Sequence, residues 1–228
     1  SEAPMDFAIG FQKLAIQFPP FVMAVVFHEV AHGFVALKWG DKTAQQQGRL
    51  TFNPIPHMDP MGTVLFPILG MISGMGVLFG WARPVPINPN RFRKYRPGLF
   101  WVSLAGPGMN FILANVSALV YVALLTWMPR QFYLFEPLAG MAVVSVQLNY
   151  WLGIFNLLPL PPLDGSKIVE SFLPYHAAQK FEVLNQYSFF ILMALLMSGA
   201  LSILAYPIGF FTNMTLFFAE RLFSVFGF

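Results

Sequence analysis

The sequence predicts an all-α polytopic membrane protein with about five to six transmembrane helices. Three observations carry that expectation. Of 228 residues, 57% are hydrophobic and 10% charged, where a soluble domain is about a quarter charged. The mean hydropathy is +0.62. Apolar residues gather into runs of roughly 20, long enough to cross a hydrocarbon core. The sequence reads as one membrane domain over residues 1–228, with Ser1 to Pro4 as an artificial lead ahead of a native Met5. No basic segment precedes an apolar run at the N-terminus, so no cleavable signal peptide is expected. Cysteine is absent. That excludes disulfides and thiolate metal sites and leaves His, Asp, Glu and carbonyl oxygens as metal ligands.

The first predicted span covers residues 14–38, after a short amphipathic lead-in at 6–13. Pro19 and Pro20 start or kink it, because proline suits a helix's first turn and not its interior. Residues 40–54 are polar and read as two short strands or a β-hairpin near the cytoplasmic face. Residues 60–82 are uncharged but rich in glycine, so they either cross the membrane or re-enter it. The flanking charges favour re-entry. Arg83, Arg91, Arg93, Lys94 and Arg96 follow the segment with no acid among them, and Lys38, Lys42 and Arg49 precede it. Both flanks then lie in the cytoplasm by the positive-inside rule. Further spans are expected at 99–128 and 138–158, with a closing pair at 186–205 and 207–219.

The chemistry starts in the first span, at His28-Glu29-Val30-Ala31-His32. Residues four apart on a helix share a face, about 6 Å apart along the axis. Two imidazoles so placed can grip one zinc ion, and the Glu beside them can act as general base on water. Ionisable residues inside a membrane helix are costly and mark function.

A catalytic zinc commonly has three protein ligands. The third candidate is Asp164, in Asn156-Leu-Leu-Pro-Leu-Pro-Pro-Leu-Asp164-Gly165. Pro159, Pro161 and Pro162 break the helix there, and irregular backbone at membrane depth lines a cavity. The competing reading makes Asp164 the N-cap of a helix starting near Ser166. Asn156 either stabilises a developing oxyanion or satisfies carbonyls freed at the helix break. Asn110, in Ala105-Gly106-Pro107-Gly108-Met109-Asn110, either bonds across helices or reaches substrate. His57 and Asp59 could offer a fourth zinc ligand, which would close the site; a pH-sensitive surface His or a partner of the ligands fits better, and His176 reads as exposed.

Taken together, HExxH in one membrane helix, AGPxxN in a second and NxxPxPxLDG in a third resemble the site-2 proteases, the intramembrane zinc metalloproteases. GDKTAQQQGRLTFNP, PHMDPMGT and GWARPVPINP look like the small bacterial and archaeal branch of that family. The resemblance implies zinc held by His28, His32 and Asp164, Glu29 as catalytic base, and Asn156 as a substrate-binding residue. Asn110 is the weaker transfer to substrate binding. It also implies hydrolysis of peptide bonds in or near transmembrane segments of membrane proteins, that is, regulated intramembrane proteolysis. The expected partners are a transmembrane substrate and the lipid bilayer, with no nucleic acid. The expected location is a prokaryotic inner membrane, with the site toward the cytoplasm. An inserted PDZ domain is not expected, since about nine residues separate Met128 from Leu138. A zinc transporter would use the same ligands without needing Glu29 as a base, and a silent scaffold would need neither.

Overall fold

The computed structural model describes residues 3–66, 68–69 and 82–225. The main helices are α1 (Ala3–Trp39), α2 (Thr43–Gln46), α3 (Tyr95–Trp127), α4 (Phe135–Asn156), α5 (Asp164–Phe172), α6 (Tyr175–Glu182), α7 (Ser188–Met197) and α8 (Ala205–Val225). Four segments are long and apolar enough to cross a membrane: Ile9–Trp39, Tyr95–Trp127, Phe135–Asn156 and Ala200–Val225. The all-helical membrane fold therefore stands, with four candidate spans among the described residues rather than five to six.

The missing span has a physical cause. Residues 186–205 do not form one helix. The α7 helix is 10 residues long, about 15 Å, or half a hydrocarbon core. Gly199 ends it in the left-handed conformation, with φ +70. The β-hairpin expected at 40–54 is also absent, and the described residues contain no strand. There the Asp41 side chain accepts from the Thr43 backbone N–H at 3.0 Å and from the Thr43 hydroxyl. That local bond favours a turn over an extended ladder, and the helical turn α2 follows. Most of the predicted re-entrant segment, residues 70–81, lies outside the described residues.

The α1 helix runs through both prolines as one 37-residue element. It is the most enclosed span: 61% of its most apolar stretch is buried, against 22% for α3 and 33% for α4. The α3 helix runs antiparallel to it. Ala24, His28, His32 and Ala36 form a buried row at spacing four on α1. They face Val102, Gly106, Asn110 and Ala114, another such row on α3. Small residues let helices approach closely where lipid supplies no hydrophobic drive. Further along, Ala114, Ala118 and Val122 of α3 pack with Val146 and Tyr150 of α4 and Ala219 of α8. The Tyr150 hydroxyl and Thr215 Oγ1 lie 2.5 Å apart and join α4 to α8. Large exposed apolar side chains, including Ile112, Val116 and Val120 on α3 and Phe210, Phe217 and Phe218 on α8, form the lipid-facing surface.

Residues 82–94 cross the end of α1 as a strap, irregular through Asn88 and then coiled into one 3-10 turn at Pro89–Arg91. Pro84, Pro86 and Pro89 lack N–H groups and cannot serve a sheet ladder. The remaining amides find scattered partners. Arg83 N–H donates to His57 O at 2.8 Å, and Arg93 N–H to Trp39 O at 2.8 Å. Asn88 N–H donates to the Asp41 carboxylate at 2.7 Å. The basic residues on both flanks of residues 60–82 thus converge at one end of the bundle.

Candidate metal centre

Two helices and a broken segment bring three side chains together. His28 and His32 are one turn apart on α1, both buried. Asp164 is the first residue of α5. The helix α4 ends at Asn156, and the turns from Leu157 to Leu163 carry the prolines. Gly165 lets α5 begin tight against the end of α4, because a methyl there would run into the carbonyls of Leu157 and Leu158. The N-cap position, Leu163, makes no side-chain cap. The Asp164 carboxylate is turned instead toward α1, with Oδ2 at 3.2 Å from Nε2 of both His28 and His32.

The two Nε2 atoms are 3.0 Å apart. With ligand bonds of about 2.0–2.1 Å, a tetrahedral zinc site has donor–donor edges of about 3.3 Å. The triangle of 3.0, 3.2 and 3.2 Å is close to one face of such a tetrahedron.

The outer nitrogens show how each imidazole is held. His32 Nδ1 lies 2.6 Å from the Val102 carbonyl oxygen, which can only accept. His28 Nδ1 lies 2.6 Å from Asn110 Oδ1. The Asn110 amide nitrogen donates to Ala24 O at 3.2 Å and to Asn149 Oδ1 at 2.9 Å, which assigns its oxygen to His28. Both imidazoles therefore carry their proton on Nδ1. With Nδ1 of each ring so engaged, the two Nε2 atoms and a carboxylate oxygen face one another in a buried space, a donor set able to hold a cation. The chain has no cysteine, and N/O donors of this kind suit zinc. Among the described residues this is the group of His, Asp or Glu side chains able to hold a metal.

Room for the imidazoles comes from Gly106. A Cβ there would lie 2.6 Å from His28 Nε2 and closer still to His32 Nε2. Pro107 leaves the Ser103 carbonyl without its helical donor, and the neighbouring Val102 carbonyl accepts the hydrogen bond from His32 Nδ1.

Glu29 is half-buried beside the triangle. Its Oε2 accepts from the Val85 backbone N–H at 2.7 Å, so the strap fixes the orientation of this carboxylate. The Asn156 amide donates to Leu152 O at 2.9 Å, one turn back on α4. Asn110 is fully buried, and its bonds run to His28, Ala24 and Asn149. His57 is fully buried, with Nε2–H donating to Thr51 O at 2.8 Å. Asp59 accepts from Met61 N–H and Gly62 N–H and caps the turn at Pro60–Leu65. Neither joins the metal-ligating group. His176 is exposed. Sequence reasoning missed Val85 and Val102, which act through backbone atoms and carry no side-chain signal. It also missed Asn149, an amide in an apolar run like Asn156.

An HExxH helix whose paired histidines meet a carboxylate inside a bundle of apolar spans defines an integral membrane metallopeptidase. The model of peptidase family M50 matches residues 132–198, which carry Asn156 and Asp164. YwhC of Bacillus subtilis, named as a candidate zinc metalloprotease, is 39% identical over 187 residues, 82% of each chain. The chain belongs to peptidase family M50, the site-2 proteases. Rip2 of Mycolicibacterium smegmatis, named in the same way, is 29% identical over 182 residues, 79% of this chain and 66% of Rip2. MJ0611 of Methanocaldococcus jannaschii, also so named, is 28% identical over 145 residues, 64% of each chain. No solved structure matches.

Proposed function

We propose that His28, His32 and Asp164 hold one zinc ion and that Glu29 is the general base for hydrolysis of a peptide bond in or beside a transmembrane segment of a membrane protein. The observation that supports this reading is the triangle of His28 Nε2, His32 Nε2 and Asp164 Oδ2, with the Nδ1 atom of each histidine bonded elsewhere.

Zinc, when bound, supplies Lewis acidity toward the scissile carbonyl and lowers the pKa of a water molecule toward about 7. The protein's groups do the rest. Glu29, oriented by the Val85 amide, takes the proton of the attacking water and delivers it to the leaving amine. Asn156, at the end of α4 where the helix breaks, binds the substrate carbonyl or its developing negative charge in this reading. Asn110 is a positioning residue for His28, and its buried bonds support that role over contact with substrate. A substrate helix must unwind locally to present a carbonyl, because its own carbonyls are engaged in helical bonds.

The convergence of Lys38, Lys42, Arg49, Arg83, Arg91, Arg93, Lys94 and Arg96 supports a cytoplasmic location for that end of α1. His32 is seven residues before Trp39, so the site lies about 10 Å along the helix from that end. This suits entry of water from the cytoplasm, in the inner membrane of a prokaryote.

The test is Glu29→Gln in purified protein, assayed for metal content and for cleavage of a model transmembrane substrate. The expected result is wild-type zinc content with cleavage reduced by about 10²–10⁴-fold, the contribution of a general base. Cleavage at the wild-type rate would overturn the assignment of Glu29.

A further inference from the structure

We infer that Asn149 is a positioning residue for the metal centre: it holds the Asn110 amide so that its oxygen, and not its nitrogen, faces His28 Nδ1. The inference rests on the reading of His28 as a ligand and extends it to a third helix.

Asn149 is 1% exposed and sits on α4, away from the triangle itself. Its amide nitrogen donates to the Ser145 carbonyl at 2.9 Å and contacts the Ser145 hydroxyl at 3.2 Å. A backbone carbonyl can only accept, so the Asn149 nitrogen must face Ser145 and its oxygen must face Asn110. That oxygen receives the Asn110 amide at 2.9 Å. The Asn110 oxygen is thereby turned to His28 Nδ1, at 2.6 Å. The direction of every bond in this chain follows from the first one. It ends with a proton on His28 Nδ1, which leaves Nε2 as the nitrogen available to a metal.

A flipped Asn110 amide would reverse the outcome. Its oxygen would then oppose two acceptors, Ala24 O and Asn149 Oδ1, and its NH₂ would face His28. The imidazole would shift its proton to Nε2, the atom aimed at the metal. Two acceptors guard against the flip, and Asn149 offers the shorter bond. Packing alone does not call for an amide here. The same α3–α4 interface is closed elsewhere by Ala114, Ala118 and Val146, all fully buried, and a buried amide is costly unless fully bonded.

The experiment compares wild type with Asn149→Leu, Asn149→Asp, Asn110→Ala and the double variant Asn110→Ala/Asn149→Leu. Zinc affinity is measured by chelator competition. The histidine tautomers are read from imidazole ¹⁵N signals of zinc-free protein, where four histidines keep the spectrum simple. Asn149→Leu should weaken zinc binding about tenfold, at the lower end of outer-ligand effects, and move His28 toward the Nε2-protonated tautomer. Asn149→Asp should restore both, since a neutral carboxyl can donate to Ser145 O and accept from Asn110. In the Asn110→Ala background, Asn149→Leu should add nothing further. If Asn149→Leu fails to fold, Asn149→Ala gives the same readout. Wild-type affinity and tautomer in the Leu or Ala variant would overturn the inference, as would an effect undiminished without Asn110. Failure of wild type to bind zinc would instead refute the ligand assignment, while the tautomer signals still report on Asn149.

Discussion

At Gly106 a hydrogen in place of a methyl lets α3 reach the two imidazoles, and four residues on the same helix face presents Asn110 to His28. The spacing within AGPxxN is thus a matter of helical geometry: its second and last members share one face. Replacing Gly106 with Ala should push the histidines off their positions. Overpacking of this kind costs about 1–3 kcal/mol. Because the clash falls on the proposed ligand atoms, zinc affinity should drop roughly 10–100-fold while helix content is kept. Chelator competition and circular dichroism on the same sample test this, and unchanged affinity would show that α3 can yield. The three side chains of the triangle were legible in the sequence, since HExxH announces two of them and Asp164 closes an uncharged run. The Val85 amide was not legible, because every non-proline residue carries a backbone N–H and its direction is set only by the fold.

Among the elements, the strap at 82–94 and the turn after α1 hold the Glu29-bearing half of that helix. Asp41 is their junction, accepting from Asn88 N–H on one side and from Thr43 on the other. Burial pushes its carboxyl up, but the Asn88 and Thr43 hydrogen bonds and the charge of Arg91 outweigh this and hold its pKa below the usual carboxylate value. A depressed folded pKa means stability that is present above the unfolded pKa, about 4, and lost as pH falls through the folded one. Thermal unfolding in detergent should therefore show a wild-type acid limb below about pH 4. Asp41→Ala should be less stable at pH 7 with a flatter limb, and parallel pH profiles would contradict this role. The spans α1, α3 and α4 were legible because long apolar runs report burial or lipid directly. The predicted hairpin failed because polarity alone does not distinguish strand from turn, and Asp41 and Thr43 settle the matter locally. The predicted 186–205 span failed because hydropathy does not weigh one left-handed glycine at 199.

For the whole molecule, the account requires the basic end of α1 and α3 on the cytoplasmic face and the α3–α4 connection on the other. A chain without cysteine is suited to single-cysteine labelling. Lys94→Cys should react with an impermeant reagent only from the cytoplasmic side, and Tyr133→Cys, which is 78% exposed in the native residue, only from the opposite side. The reverse pattern would invert the topology and place the site about 10 Å along α1 from the outer face instead. The central claim is that three side chains from α1 and α5 form one hydrolytic zinc centre inside this bundle. Its most direct test is the zinc content of purified wild type beside Asp164→Ala and His28→Ala, with cleavage of a model transmembrane substrate measured on the same samples. The account predicts about one zinc per chain in wild type, as a three-ligand catalytic site requires, and loss of both metal and cleavage in each variant. Zinc and cleavage retained without Asp164, or a metal-free wild type that cleaves, would contradict it.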